Sequence, residues 1–484
     1  MALTVKTHEH DYYTISTIRE PDDVVLEVGG IAVLGPDEIL VSTRRGEVYR
    51  VRDLDASEPT WTLFAEGLQE PLGLLNHDGW IYTVQRGELS RMRDQDNDGR
   101  MDELQTVCDD WRISGNYHEY AFGPRLDGAG NFWITLNKPF GSEPFGRQLW
   151  RGWAVYVTPE GEMVPAVAGL RSPAGVQGSP EGEMFYTDNQ GEWCGASKLA
   201  HLAEGEFHGH PWGIDSAHDP RSRVEHPGTI PDGLLMHEVV EEVPHFKLPA
   251  IWFPYGKMGK SPAGMVWDTT DGKFGPYQGQ VFVGDQHDSS LLRVALEKVD
   301  GHWQGACFPF LKGLDSGVIR VAWMDDGSII TGSTNRGWAS LGNRPYSLQR
   351  VAWNGKVPFD IQRMSLTKDG FQLRFTKPVD VETAADPSSY RMQSYTYKLH
   401  SPYGSPEVDQ KTLKIRSAEV SPDRREVHLS VFPLREGYVH ELIADGVRSE
   451  SKQPLLHSDA YYTLIRFRSS SDGEEAGPAV GPPE

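Results

Sequence analysis

One pattern recurs six times along the chain and limits what it can fold into: an apolar run, a turn built on Gly or Asp-Gly, a β-rich strand, a polar turn and a further apolar strand. It reads IAVLGPDEILVSTRRGEVYRV at 31–51, PLGLLNHDGWIYTVQRGELSRM at 71–92, and YAFGPRLDGAGNFWITLN at 120–137 joined to WAVYVTPEG at 153–161. It returns as SPAGVQGSPEGEMFYTDNQG at 172–191 and SPAGMVWDTTDGKFGPYQGQVFVGDQHDSSLLRVAL at 261–296. The last copy is IRVAWMDDGSIITGST at 319–334 with YSLQRVAW at 346–353. Each copy supplies short strands joined by tight turns, the sequence form of a four-stranded blade. A lone blade leaves two apolar faces that only neighbours cover, so such units close into a ring. The expected fold is therefore all-β, with a six-bladed β-propeller over residues 1–358. The stretch 200–260 is polar, rich in His and Pro, and lacks the pattern; a hidden copy there would make seven blades. It reads instead as a long insertion on one rim, where binding loops tend to sit.

After Pro358 the character changes. Alternating strands follow without the blade signature, among them FQLRFTKPV, YRMQSYTYKL, LKIRSAEV, EVHLSVF and YVHELIADGV. Residues 359–468 are expected to form a small Ig-like β-sandwich. The terminal SSSDGEEAGPAVGPPE combines low hydrophobicity with many breakers, so 469–484 reads as a disordered tail.

Charge and apolar runs narrow the partners. With 47 basic and 69 acidic residues among 484, the net charge of −22 repels phosphate backbones and argues against nucleic acid. No apolar run is long enough to span a bilayer. The N-terminal MALTVKTHEHDYY shows no basic segment followed by an apolar one. The expectation is a cytoplasmic protein, or a periplasmic one if a leader has been trimmed. Cys108, Cys194 and Cys307 lie far apart, without metal-ligand spacing, and read as buried free thiols. Oligomeric state cannot be read from the sequence.

The sharpest motif is Asp94-Gln-Asp96-Asn-Asp98-Gly99-Arg100-Met-Asp102. Carboxylates at positions 1, 3, 5 and 9, Gly at 6 and the Arg100 carbonyl at 7 supply oxygen ligands for one Ca²⁺. Gln105 stands where an EF-hand needs Glu, so the match is to the shorter calcium loop of propeller strands. A propeller also gathers loops at one end of its channel. Polar residues beside the apolar strands are therefore candidates for a shared site: Glu70, Tyr117, His118, Glu119, Arg171, Asp188, Asn189, Gln190, Asp285, Gln286, His287, Arg320, Asn335 and Arg336. His208 and His210 in FHGHPWG form a nonspecific H-x-H, and Lys257 and Lys260 read as solvated loop lysines. No Ser-His-Asp elbow, phosphate-cradling glycine loop or H-E-x-x-H occurs.

GLRSPAGVQGSPEGEMFYTDNQG at 169–191 and SPAGMVW…GQVFVGDQHDSSLLRVAL at 261–296 resemble the soluble glucose/sorbosone dehydrogenase family, over roughly 60–350. YHEYAFGP, TDNQGEW, RGW at 336–338 and YGSPEVD resemble a broader bacterial dehydrogenase-like group. The resemblance implies a six-bladed propeller binding pyrroloquinoline quinone (PQQ), with Ca²⁺ beside the quinone. It implies hydride removal from a sugar, a His taking the hydroxyl proton. On that pattern His118, Arg171 and Arg320 are the catalytic candidates, and Asp188, Asn189, Gln190, Asp285 and Arg336 the cofactor-binding ones. The departures fall on the same residues. The family's His lies about three residues earlier, where this chain has Gly115, Ser172 replaces an Asn, and Val318 replaces the first of two late arginines.

The leading expectation is a quinoprotein-like oxidoreductase acting on a sugar or sugar-derived alcohol or aldehyde, so the partner is a small-molecule or oligosaccharide substrate. One alternative is a PQQ-free, metal-dependent lactonase, hydrolase or lyase. Its channel ion would be held by Glu70 or Glu119 with Asn189 and Asp285, as gluconolactonase-type propellers imply. The other is a noncatalytic glycan-binding propeller.

Overall fold

The computed structural model describes residues 7–141 and 148–468. The expected tail at 469–484 lies outside the described residues. Five separate four-stranded antiparallel sheets are blades of a β-propeller. The first runs through Val28–Gly35, Glu38–Thr43, Val48–Arg52 and Thr60–Ala65, and the second through Leu74–His77, Trp80–Val84, Leu89–Arg93 and Glu103–Cys108. The third comprises Ala121–Leu126, Phe132–Leu136, Trp153–Val157 and Met163–Ala168. The fourth takes Pro173–Gly178, Met184–Asp188, Ser197–Leu202 and, after a long insertion, Ile251–Phe253. A further quartet, Pro262–Trp267, Val281–Asp285, Ser290–Val299 and His302–Leu311, belongs to an eleven-stranded sheet. The last blade uses Val318–Trp323, Ile329–Thr334 and Tyr346–Trp353, and borrows its outer strand, Tyr13–Thr17, from the N-terminus.

That borrowed strand ties the two ends of the repeat region together. Tyr13 pairs with Trp353 and Thr17 with Gln349, so the ring closes through backbone hydrogen bonds. Nothing in the sequence of 13–17 carries the blade signature, which is why the repeats did not reveal it. The innermost strands also approach one another closely. A Cβ on Gly73 would fall 1.9 Å from the Gly123 carbonyl oxygen, and one on Gly175 would fall 2.0 Å from that of Ala263. Only glycine admits such backbone contact between neighbouring blades.

The insertion corrects one expectation. It holds a short helix, Met236–Glu242, and lies along the outer edge of the third blade, where Phe207 bridges Ala168. It therefore belongs to a blade edge, and residues 203–250 do not line the pocket gathered by the rim loops.

Beyond residue 358 one sheet contains Ile361–Leu366, Gly370–Phe375 and Glu426–Phe432, and another Arg391–Thr396, Tyr438–Ile443 and Asp459–Leu464. The thirteen-residue strand Val408–Val420 serves both, pairing with Arg391–Thr396 through its first half and with Glu426–Phe432 through its second. Asp459–Leu464 hydrogen-bonds to His302–Leu311 of the propeller, making the sheet continuous across the boundary. Buried Ala295, Val299, Ala306 and Phe308 share one apolar core with Phe371, Leu373, Leu442 and Tyr462. No helix among the described residues is long and apolar enough to cross a membrane.

A buried charge network reinforces this junction. Arg293 lies between the rings of Tyr277 and Phe308, 4.1 and 4.2 Å from their centroids. It donates to the Ile361 and Gln362 carbonyls at 2.7 and 2.8 Å. Asp360 accepts from Tyr277 Oη at 2.8 Å and contacts His457 Nδ1 at 3.1 Å; the other ring nitrogen of His457 meets Glu9 Oε1 at 3.3 Å. Burial alone would lower the His457 pKa, but Asp360 and Glu9 raise it from 6.5 to about 9.

The His457 contribution to stability is therefore complete below pH 6.5 and lost as pH rises through about 9. Thermal melts across that window are expected to show a falling Tm, and His457→Gln to flatten that part of the profile. An unchanged alkaline limb in the variant would contradict the assignment.

Candidate active site at the channel mouth

Antiparallel blades place the start of each inner strand and the end of each second strand on the same rim. Loops from distant parts of the sequence converge there, around a basin of about 860 Å³ counting its open mouth. Arg44, His118, Arg171, Ser172, Asn189, Gln190, Lys260, Gln286, Arg320 and Arg336 all line it, with Tyr117, Tyr120, Phe122, Phe140, Trp338 and Tyr403. The wall is cationic and aromatic in a strongly acidic protein.

Arg320 forms the floor. Its guanidinium donates to the carbonyls of Gly29 at 2.8 Å, Leu72 at 3.1 Å, Ala174 at 3.0 Å and Ile319 at 2.5 Å. These oxygens come from four separate blades, so the side chain rivets the ring near its axis. Burial, with Arg125 and Arg44 nearby, pushes its pKa down to about 9, which leaves it charged at neutral pH. Arg320, expected as a catalytic candidate, lines the basin and spends most of its donors on carbonyls, sealing and charging the pocket floor.

His118 sits on the wall, stacked on Phe140 with ring centroids 3.4 Å apart. Its Nδ1 lies 2.6 Å from the Lys138 carbonyl oxygen, and Nε2 lies 3.1 Å from Ser172 Oγ. A carbonyl only accepts, so Nδ1 carries the proton and Nε2 presents a lone pair. Burial pushes the His118 pKa down to about 3 and keeps the ring neutral. Arg171 is buried beside it and donates through Nε and Nη2 to Glu192 Oε2 at 3.1 and 3.0 Å. The other Glu192 oxygen pairs with Lys138. Burial pushes the Glu192 carboxyl up, yet His210, Arg171 and Lys138 together hold it well below the ordinary range. Two cations against one carboxylate leave this wall net positive.

Other expected residues divide. Asn189 and Gln190 line the basin, and Asn189 Oδ1 is buried without a hydrogen-bond partner. Arg336 lines it too while pairing with Glu27 at 2.6 Å. Asp188 and Asp285 do not. Asp188 accepts the backbone N–H groups of Arg171, Ser172 and Asn189 at 3.0, 2.7 and 2.9 Å. Asp285 does the same in the next quartet, accepting those of Lys260, Ser261 and Asp288 at 2.8, 2.7 and 2.7 Å. Each carboxylate, expected as a cofactor-binding residue, satisfies the turn that opens an inner strand and lies outside the basin lining. Glu70 is held by Arg44 and Arg86, and Glu119 by the Ser114 backbone and hydroxyl and the Gly115 N–H. Of the expected channel-metal set, Glu70, Glu119 and Asp285 are thus engaged by protein groups, and Asn189 Oδ1 alone is left without a partner. Tyr186 and Glu206 flank His208 at 2.8 and 3.3 Å, so protein partners occupy it.

Several wall residues escaped sequence reasoning. Lys260 lines the basin, although it read as a solvated loop lysine, and Lys257 instead pairs with Glu407 and Glu441. Glu192 stands inside the TDNQGEW segment, which marked it without revealing its charge partners. Tyr403 arrives from the C-terminal region, where an antiparallel bridge to Glu192 docks its loop.

The acidic loop lies between the outer two strands of the second blade, on the rim opposite the basin. Carboxylate oxygens of Asp94, Asp96 and Asp102 lie within 4.8 Å of one another. Asp94 Oδ1 is buried with no hydrogen-bond partner. Asp98 is turned into the loop, where its Oδ1 accepts the Arg100 N–H at 2.7 Å, and it does not join the cluster.

Replacing Arg320 by Met is expected to leave buried carbonyls of separate blades without their donor and to destabilise the chain by about 3 kcal/mol or more. Urea unfolding checks this; a loss under about 0.5 kcal/mol, typical of an unimportant surface site, would refute the rivet.

No family model matches the chain, and no curated protein matches it. Among solved structures, an oxidoreductase from Thermus thermophilus described as a glucose dehydrogenase aligns with TM-score 0.50 and 20% identity, over 70% of this chain and 99% of that one. A carbohydrate-active enzyme of family AA12 from Trichoderma reesei aligns with TM-score 0.52 and 12% identity, over 70% of this chain and 96% of that one. At these identities the likeness is one of fold, and it agrees with the propeller read from the repeats.

Proposed function

We propose that this chain is an oxidoreductase that removes hydride from a sugar or sugar-derived alcohol or aldehyde at the channel mouth, with PQQ as acceptor. The propeller of this reading has six blades over 1–358, the quartet at 262–311 being the fifth, and 359–468 is an Ig-like sandwich. The observation that supports the function best is a neutral histidine, His118, whose Nε2 lone pair faces Ser172 Oγ on a wall otherwise cationic and aromatic.

A planar polycarboxylate fits that wall. Lys260, Arg336 and Arg171 offer positive charge, Asn189 and Gln190 offer amides, and Tyr120 and Phe122 add aromatic lining. When bound, PQQ supplies a two-electron acceptor. The chain's own residues do the rest. Ser172 Oγ, 3.1 Å from His118 Nε2, positions the substrate hydroxyl and passes its proton to that nitrogen. The Lys138 carbonyl holds the tautomer that makes Nε2 the acceptor. The Arg171–Glu192 pair fixes one guanidinium beside Phe140, where it steadies negative charge developing in the site. The Thermus thermophilus neighbour described as a glucose dehydrogenase has the same fold and supports the choice of sugars.

Calcium belongs to the far rim in this reading, where Asp94, Asp96 and Asp102 hold one Ca²⁺ and pin the loop. The unpartnered Asp94 Oδ1 suits a cation.

Incubation with PQQ and Ca²⁺, an artificial electron acceptor and a panel of aldoses is expected to give PQQ-dependent turnover. His118→Ala and Arg171→Ala are each expected to lower kcat by about 10²-fold or more. No change in quinone absorbance on mixing would reject the proposal. The depressed His118 pKa predicts that kcat/KM shows no limb near pH 6.5; a limb there would mean that the base is a solvated histidine. Removing calcium with EDTA is expected to lower Tm, and excess Ca²⁺ at about 100 times Kd to restore about 2.7 kcal/mol. The Asp94→Asn, Asp102→Asn variant should show neither change.

A further inference from the structure

Six aromatic side chains among the described residues are exposed: Tyr117, Tyr255, Trp338, Tyr403, Phe432 and Phe467. The first four stand around the channel mouth, though they come from four unrelated stretches of chain. Tyr117, Trp338 and Tyr403 line the basin directly. Tyr255 lies beside the basin residue Lys260, whose Nζ is 5.7 Å from its ring centroid. Their exposures are 60% for Tyr117, 58% for Tyr403, 43% for Trp338 and 37% for Tyr255.

The backbone under these rings is fixed although the rings themselves are partly exposed. The Tyr117 carbonyl accepts from Arg86 at 2.7 Å. His287 donates from Nδ1 to the Ala339 carbonyl at 2.8 Å, next to Trp338. The Tyr403 loop is clamped by its bridge to Glu192 and by the Gly404 N–H, which donates to the Gly191 carbonyl at 2.9 Å. The fold thus holds in place four partly exposed aromatic rings around one basin.

We propose that the mouth is a platform for an extended oligosaccharide, whose successive rings stack on Tyr117, Tyr403, Tyr255 and Trp338 while its reacting end enters the basin. The proposal rests on the sugar reading of this pocket and adds chain length to it. The arrangement distinguishes a glycan from a protein or lipid partner. The aromatic faces are single rings separated by polar groups, with Arg171 5.2 Å from the Tyr403 ring and Lys260 Nζ 3.4 Å from His287 Nε2. A pyranose offers a C–H face to each ring and hydroxyls at its edge to the groups between them. A protein hot spot or an acyl chain needs contiguous apolar surface instead. The C-terminal region thereby acquires a role at the site, because Tyr403 completes the platform from outside the ring of blades.

The test measures binding to the full chain without quinone, by calorimetry, for glucose, cellotetraose and maltotetraose. At least one tetramer is expected to bind about tenfold tighter than glucose, as a few stacked rings at modest energy each would give. Trp338→Ala and Tyr403→Ala should each weaken tetramer binding about three- to tenfold more than they weaken glucose binding. Phe432→Ala, on the remote C-terminal sheet, should change neither. Unchanged melting temperatures in the variants would exclude misfolding as the cause. Tetramers that bind no tighter than glucose, or a length dependence that survives both substitutions, would overturn the platform. PQQ-dependent oxidation of glucose, assayed in parallel, reports separately on the proposed reaction: turnover without length dependence removes the platform alone, and length dependence without turnover removes the reaction alone.

Discussion

Closure of the ring is the constraint on which everything else depends. Each blade is a small sheet with two apolar faces, and neighbouring blades must cover both. The inner strands meet so tightly that Gly73 and Gly175 have no room for a side chain. Arg320 then satisfies carbonyls from four blades with one guanidinium. A cation placed near the axis for structural reasons also gives the pocket above it a positive floor, so fold and electrostatics share a residue.

The rim shows the same economy. Asp188 and Asp285 occupy equivalent places in consecutive quartets and spend their oxygens on the backbone N–H groups that open the inner strands. A carboxylate used in this way stiffens a turn and withdraws its charge from the cavity. The surface left to face a ligand is cationic, amide-bearing and aromatic, in a chain whose net charge is −22. An anionic group approaching it leaves an acidic exterior for a positive basin, which favours retention at the mouth.

The C-terminal region is bound too firmly to be a passenger. Its strand Asp459–Leu464 extends a propeller sheet, its core is shared with the hairpin Ser290–Leu311, and Arg293, Asp360 and His457 form a buried polar junction. That rigid attachment lets a loop from residue 400 onward reach the rim and place Tyr403 against Arg171.

The sequence by itself determined the repeated blade, the change of character after Pro358, the acidic loop at 94–102 and the kinds of residue that end the strands. These are local or periodic properties: alternation, glycine turns and ligand spacing are written in neighbouring residues. His118, Arg171, Asn189, Gln190 and Arg336 were legible because position within a repeat predicts the rim on which a residue lies. Tertiary structure alone decided which way each side chain turns there. Asp188 and Asn189 are adjacent, yet one serves the backbone and the other faces the pocket, since Asp188 ends a strand and Asn189 begins the loop beyond it. Only the folded chain brings Tyr13–Thr17 to the last blade, Arg320 to four carbonyls and Tyr403 to the mouth. Each of these contacts joins residues far apart in sequence, and long-range pairing leaves no periodic trace in a single chain.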